Sequence, residues 1–392
     1  MKNLPLLLSS ILLALFLSGC SKGKDSTQQL NSSLYKIDLS GDAIDEFESP
    51  KLSTFFNEIE YIKLETSEKS FVKGNPEIYV SQQYIYTVAF RQILQFDRKD
   101  GRFVKELGHY GFDPEGYIAT LPNTYPFSTD DLFVSTGKYI KSISGIDNRL
   151  ETVAKSIQGT LGFAVLDSNT FVSYIGNYDC NEKNRLIVYS KDGTEKIKFP
   201  NHLSCEKRDK STFSIDLSEG QFHYLNSDVL FKESYNDTIF RVTTEKLIPH
   251  AHFYLGNKGI PYAEKENVGS RDKWDKVIVT NTFESVDYVF FTYSFKNTSF
   301  SGVFDKKKRV SYIPEKKAEQ NGIVDDINGF IDFKPLTMNK ENEVVSYYYP
   351  EDILEWFEER DDNQNIPESL KNLKTVKSED NPIIAIVKLK EN

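Results

Sequence analysis

Five stretches of this chain share one form: an alternating apolar strand, a short polar turn, and a second alternating strand. They are "ILQFDRKDGRFVKEL", "YIKSISGIDNRLETVAKSI", "LIVYSKDGTEKIKF", "TIFRVTTEKLIPHAHFYL" and "FSGVFDKKKRVSYI". Their turns fall at Asp100-Gly101, Asp147-Asn148, Asp192-Gly193, near Thr244 and near Lys307. With Asp100, Asn148, Asp192, Thr244 and Lys307 as markers, the spacings are 48, 44, 52 and 63 residues. Asp-Gly and Asn suit the positive-φ positions of tight hairpins. Helical periodicity is nearly absent before Pro350. A repeat of this length built only of strands predicts a β-propeller, with one four-stranded blade per repeat. The 22 Tyr and 28 Phe support it, since aromatic rings suit a pleated, half-buried surface.

A sixth strand, "IIAIVKLK" (Ile383 to Lys390), ends the chain with no partner after it. A propeller removes its open edge by pairing a strand from the start of the chain with strands from the end. Either "SLYKIDL" or "EIEYIKLE" can supply that strand. The expected fold is therefore all-β, a six-bladed β-propeller of four-stranded blades over residues 34–392. One helical insertion, at about 351–374, interrupts the last blade. Ile353, Trp356 and Phe357 stand at i, i+3 and i+4, an apolar stripe that must pack on something. Pro350 and Asp352 suit a helix start, and Ser369 to Leu373 fit a second short helix. The stripe reads as a helical cap on one face, with a partner-binding helix as the other option.

The first residues give an address. Lys2 precedes an apolar stretch from Leu4 to Leu17, shorter than the roughly 20 residues that span a bilayer but long enough for a signal-peptide core. "LSGC" resembles the lipobox of bacterial lipoproteins. The resemblance implies a signal peptide at 1–19 and acylation of Cys20, which would bind the membrane through its N-terminal lipid. Residues 20–33, "CSKGKDSTQQLNSS", are too polar and small to bury apolar area, and read as a flexible tether. The expected location is the cell envelope, lipid-anchored at the outer membrane, with its side left open. Lys22 and Lys24 stand where surface-displayed lipoproteins of Bacteroidota often carry an acidic run. A net charge of −10 without a basic run argues against nucleic acid.

Four stretches carry a likeness to the six-bladed β-propeller lipoproteins of Bacteroidota. They are "FNEIEYIKLET", "ILQFDRKDGRFVKELGHYGFDPEGY", "YNDTIFRVTTEKLIPHAHFYLG" and "DNPIIAIVKLK". The resemblance implies an envelope location and a propeller, and brings no reaction with it. The departure lies in "GHYGFDPEGY", where relatives tend to place a glycine-proline-glycine turn.

That loop is also the leading candidate for ligand contact. It should leave one blade's outer strand and cross to the next blade, bringing His109, Asp113 and Glu115 together between Tyr110 and Tyr117. A histidine near carboxylates can hold a cation or move protons, though three glycines and Pro114 also make an ordinary tight connection. Tyr110, Tyr117, Tyr125 and Phe127 would suit sugar rings or inter-blade packing. His250 and His252, two apart, should point to one side of a strand, and read as strand residues rather than metal ligands. Asp325, Asp326 and Asn328 offer oxygen ligands without EF-hand spacing. Cys180 and Cys205 either pair, closing a loop that contributes about 3 kcal/mol, or stay as free thiols. His202 lies near Cys205 in sequence, yet nothing marks a thiol nucleophile, and no catalytic residue, cofactor or metal is assigned. The leading reading is a binding module for an extracellular glycan, peptide or small molecule. One rival is a metal-dependent hydrolase or lyase, needing ligands from at least three blades around an axial ion. Another is a scaffold in an outer-membrane assembly, needing a large exposed apolar patch.

Overall fold

A computed structural model describes residues 34–40, 49–89, 91–120, 131–209, 219–267, 275–314, 321–360 and 366–390. The signal peptide, Cys20, the tether, Tyr125 and Phe127 lie outside the described residues.

Six antiparallel sheets form the blades of one ring. From the axis outward, blade 1 runs Glu77–Val80, Tyr84–Ala89, Gln92–Asp97 and Phe103–Glu106. Blade 2 runs Ala119–Thr120, Asp131–Ser135, Tyr139–Ser144 and Leu150–Lys155. Blade 3 runs Thr160–Asp167, Thr170–Ile175, Asn184–Ser190 and Glu195–Pro200. Blade 4 runs Gly220–Leu225, Asp228–Glu233, Asn236–Val242 and Leu247–Tyr254. Blade 5 runs Ile278–Glu284, Tyr288–Phe295, Thr298–Asp305 and Val310–Tyr312. Blade 6 runs Thr337–Met338, Glu343–Tyr348, Ile383–Leu389 and, from the start of the chain, Phe56–Lys63.

Each hairpin read from the sequence is the third and outer strand of its blade. The five markers therefore occupy one structural position, repeated around the ring. The long last interval reflects the connection from Tyr254 to Ile278, which carries two 3₁₀ turns, Gly256–Lys258 and Tyr262–Glu264.

Of the two strands proposed to close the ring, "EIEYIKLE" does so. Phe56–Lys63 pairs antiparallel with Ile383–Leu389, with Tyr61 opposite Ala385. The other strand, Tyr35–Asp38, runs parallel to the outer strand of blade 4, with Tyr35 opposite Ala251, and gives that blade a fifth strand. The seam is fastened by side chains too. Arg98 of blade 1 grips Glu343 of blade 6 with two bonds, at 2.7 and 2.9 Å, and reaches Glu60 at 3.2 Å. Gly101 sits beside it at φ 70°, where an added Cβ would lie 1.9 Å from the Lys63 carbonyl oxygen. Only glycine fits that turn.

The core lies between blades rather than in one centre. Between blades 5 and 6, Phe283 and Phe290 stack at 5.1 Å, while Phe56 meets Phe290 and Phe333. The helical insertion falls between the second and third strands of blade 6, as an α-helix over Pro350–Glu358 and a 3₁₀ stretch over Glu368–Thr375. Its stripe packs inward: Ile353, Leu370 and Leu373 are buried, and Trp356 lies edge-on against Phe330 at 4.7 Å. It caps its blade.

Candidate functional site

Antiparallel strands sort the turns onto two rims. First-to-second and third-to-fourth turns share one rim; second-to-third turns and blade connections share the other. At the first rim the inner strands end around a cavity of about 250 Å³. Its wall draws on inner strands or their turns from blades 1, 4, 5 and 6, with Tyr86 and Leu132 from the second strands of blades 1 and 2. Residues of so many blades meet only near the axis.

The wall mixes flat apolar surface with polar groups. Tyr79, Phe222, Tyr224 and Phe283 supply rings, and Asn226, Asn281, His223, Thr282, Glu284 and Glu341 supply polarity. Part of that polarity builds the wall itself. Asn281 donates from Nδ2 to the Leu336 carbonyl at 2.8 Å. Asn339 accepts the backbone N–H groups of Glu341 and Glu343 and donates to the Glu343 carboxylate. Val286, at 65% exposure, stands at the open end.

Glu284 ends the inner strand of blade 5 and is fully buried. Its carboxylate accepts from His223 Nε2 at 3.1 Å and from His250 Nε2 at 2.9 Å, and it pairs with the Lys306 ammonium. Lys306 also donates to the Ser285 carbonyl. Burial alone would raise the carboxyl's pKa. The hydrogen bonds from His223 and His250 and the Lys306 charge overturn that and hold it well below the usual carboxylate range. At the inner strand of blade 1, the Tyr79 hydroxyl donates to Glu77 at 2.6 Å.

His250 and His252 do not share a face. A bulge leaves His250 without an opposite residue, since Ile239 pairs with Ala251 and Phe240 with Pro249. The extra residue re-aims His250 at Glu284 of blade 5. His252 stays with its own blade, its Nδ1 3.2 Å from Thr238 Oγ1.

The loop from Gly108 to Tyr117 joins blade 1 to blade 2 on the opposite rim, and none of its candidate residues lines the cavity. His109 Nε2 meets Asp113 Oδ2 at 2.7 Å, both half exposed, and that hydrogen bond lowers the pKa of Asp113. Asp113 also accepts the Glu115 N–H, so its carboxylate closes the turn. Tyr110 lies under the Arg91 guanidinium at 4.3 Å. Glu115 is exposed, while Tyr117 is buried between blades 1 and 2, where burial pushes its hydroxyl up.

Asp325 accepts the backbone N–H groups of Ile327 and Asn328, and Asp326 accepts from Ser53, so the acidic turn uses its oxygens on its own chain. Cys180 and Cys205 form a disulfide that ties the second-to-third turn of blade 3 to the connection leaving that blade. Beside it, Asn177 donates toward Cys205 and to the Tyr262 hydroxyl. Among the described residues, no three His, Cys, Asp or Glu side chains are grouped to hold a metal ion.

The Glu284 cluster escapes sequence reading because its members stand far apart, at 223, 250, 284 and 306, two on each of blades 4 and 5. The one available signal was Glu284 itself, a carboxylate directly after Phe283 at the end of an alternating strand.

The family model described as "Domain of unknown function (DUF4934)" matches residues 34–388. The chain belongs to the DUF4934 family. No curated protein matches it. Among solved structures, this DUF4934 chain is similar to a protein described as exported, BF0058 of Bacteroides fragilis NCTC 9343. The TM-score is 0.67 at 15% identity, covering 91% of this chain and 100% of that one. A DUF4221 family member from Bacteroides vulgatus ATCC 8482 aligns at TM-score 0.48 and 9% identity, over 86% of this chain and 98% of its own. The first likeness agrees with the propeller fold.

Proposed function

We propose that this DUF4934 protein is an envelope-anchored binding module that holds a small extracellular ligand, such as a glycan unit, a peptide end or a small molecule, in its axial cavity. The observation that carries the reading is the cavity: several blades converge on it, and aromatic rings alternate there with polar groups. Concave sites of mixed character are where ligands bind. The exported relative and the Cys20 motif support the envelope location.

Val286→Trp tests the cavity directly. Val286 is exposed at the open end, so a larger side chain there obstructs entry without disturbing the core. A ligand present at 100 times its Kd stabilises the native state by about 2.7 kcal/mol. A thermal-shift screen of glycans, peptides and metabolites should give compounds that raise the melting temperature of the natural protein and leave the variant unmoved. Hits that stabilise both proteins equally would place binding elsewhere. Metal content measured alongside addresses catalysis: a stoichiometric metal whose removal lowers the melting temperature would favour the hydrolase or lyase reading.

A further inference from the structure

We infer that the rim carrying the cavity is turned toward the membrane, and that the exposed turn Lys307–Arg309 at its edge rests on anionic phospholipid headgroups. This rests on the reading of Cys20 as a lipid anchor, and adds an orientation to it.

Chain direction comes first. Tyr35–Asp38 runs parallel to Leu247–Tyr254, with Tyr35 opposite Ala251 and Asp38 opposite Tyr254. That partner strand leaves the third-to-fourth turn of blade 4 and ends on the rim of the blade connections. The chain therefore enters the ring from the cavity side, at Leu34. Tyr35 marks the spot. Its ring lies edge-on to Phe304 at 6.0 Å, with the Arg309 guanidinium 5.6 Å and the Lys306 ammonium 5.8 Å from its centre. Entry point and basic turn are neighbours. Residues 20–33 separate Leu34 from the proposed lipid, a distance of at most about 50 Å even when fully extended.

Charge comes next. The third-to-fourth turns of blades 1 to 5 read "RKDGR", "GIDNR", "KDGT", "TTEK" and "KKKR". They hold ten basic residues against four acidic ones, in a chain whose net charge is −10. Two of the ten are engaged inside the fold, Arg98 by Glu343 and Lys306 by Glu284. The opposite rim has the other sign. Its Gly108–Tyr117 loop brings Asp113 and Glu115 and no Lys or Arg. The described part of the blade 6 insertion, 349–360 and 366–382, holds eight acidic residues against four basic ones. An anionic surface attracts the first rim and repels the second.

The densest positive turn is the one beside the entry point. Lys307, Lys308 and Arg309 are exposed, and Lys308 keeps 60% of its side chain accessible while reaching Asp305 at 3.4 Å. Leu34 and Val310, next in the chain to Tyr35 and Arg309, are each 44% exposed and add apolar surface suited to the headgroup boundary. Such a contact is weak alone and screened by salt, so it does not hold the protein. Tethering makes it intramolecular, at an effective concentration in the millimolar range, and it then sets which rim faces the bilayer. The turn joins the two outer strands of blade 5, away from the axis, so the contact does not need the mouth of the cavity.

The test is co-sedimentation of the full Cys20→Ser chain, which has no lipid, with vesicles of equal parts phosphatidylglycerol and phosphatidylcholine. Vesicles of phosphatidylcholine alone stand beside them. The expected result is binding to the anionic vesicles only, present at low ionic strength and lost at about 0.3 M salt. Lys307→Gln, Lys308→Gln and Arg309→Gln together should weaken it about a hundredfold, since each basic residue near an anionic surface contributes about fivefold. Lys296→Gln, Lys371→Gln and Lys374→Gln remove the same charge from exposed positions on the opposite rim, and should leave binding unchanged. Both triple variants should melt with their parent, which keeps lost folding apart from lost docking. Equal loss in the two variants overturns the inference by making net charge, not this rim, responsible. Equal binding to both kinds of vesicle, or to neither, overturns it as well. In the natural protein held in anionic vesicles, an amine reagent that cannot cross lipid should label Lys296 more than Lys307 and Lys308. Equal labelling overturns the orientation. The acyl mass on Cys20 decides the anchor separately. Its absence overturns the anchor while vesicle binding by the rim stands, and its presence without vesicle binding does the reverse.

Discussion

A fully buried carboxylate is an expensive thing for a protein to keep, and Glu284 shows how its cost is offset. Two imidazole N–H groups and one ammonium surround it, drawn from blades 4 and 5. Because its pKa in the folded protein lies below that of the unfolded chain, Glu284 adds stability that is fully present above the ordinary value of about 4.3. That stability is lost as the pH falls through the folded value. Urea unfolding at a series of pH values should therefore show the natural protein weakening below about pH 4. Glu284→Gln should cost about 3–5 kcal/mol at pH 7, because it leaves the Lys306 ammonium buried against a neutral amide. The gap between the two proteins should narrow toward pH 3. A gap that stays constant with pH would mean that the charge of Glu284 does not couple to folding.

The blade elements differ in how clearly the sequence announces them, and the reason is burial. Third strands such as Ile383–Leu389 are covered on both faces and flanked by turn residues with fixed backbone demands, so the hairpins can be read directly. Inner strands are poor in signal: Ala119–Thr120 and Thr337–Met338 have two residues each, too few for any periodicity. The cavity is built largely from inner strands of blades 1, 4, 5 and 6 and their turns, which the sequence announces poorly, whereas the glycine-marked loop on the opposite rim is easily read. The parallel strand Tyr35–Asp38 was equally hidden, since four alternating residues state no partner and no direction. Ring closure, by contrast, followed from the unpaired last strand. It also carries a prediction. Arg98 joins blade 1 to blade 6 through a bidentate, half-buried pair. Removing it with Arg98→Ala should cost about 2 kcal/mol, as charge-assisted bonds at low exposure do. Amide hydrogen exchange should rise first in Phe56–Lys63 and Ile383–Leu389, the two strands that close the ring. A rise spread evenly over all six blades would show that the seam is no weaker than the rest.

At the scale of the whole molecule, the proposed anchor and the disulfide bear on the same compartment. Neither thiol of the Cys180–Cys205 pair would stay oxidised in a reducing cytosol, whereas an exported chain meets conditions in which the bond forms and persists. Closing a loop with a sequence separation of 25 restricts the unfolded chain enough to contribute about 3 kcal/mol. The proposed lipid would act by a different route. A single acyl chain gives only marginal membrane binding, so firm retention through Cys20 requires more than one, each buried methylene adding about 0.8 kcal/mol. Cys20→Ser separates the two effects. The variant should leave the membrane fraction, while the natural protein should need detergent to be released. Mass spectrometry of the natural protein's N-terminal peptide should show the added acyl mass on Cys20. The propeller itself should be indifferent to the change, provided the variant is still exported: its melting temperature should equal that of the natural protein released in detergent, and a reducing agent should lower both alike. A Cys20→Ser protein that still sediments with membranes would rule out the lipid as the anchor. One that becomes soluble yet melts lower, with the same fall on adding reductant, would show that the tether stabilises the ring. Loss of the response to reductant would instead mean that export, and with it the disulfide, had failed.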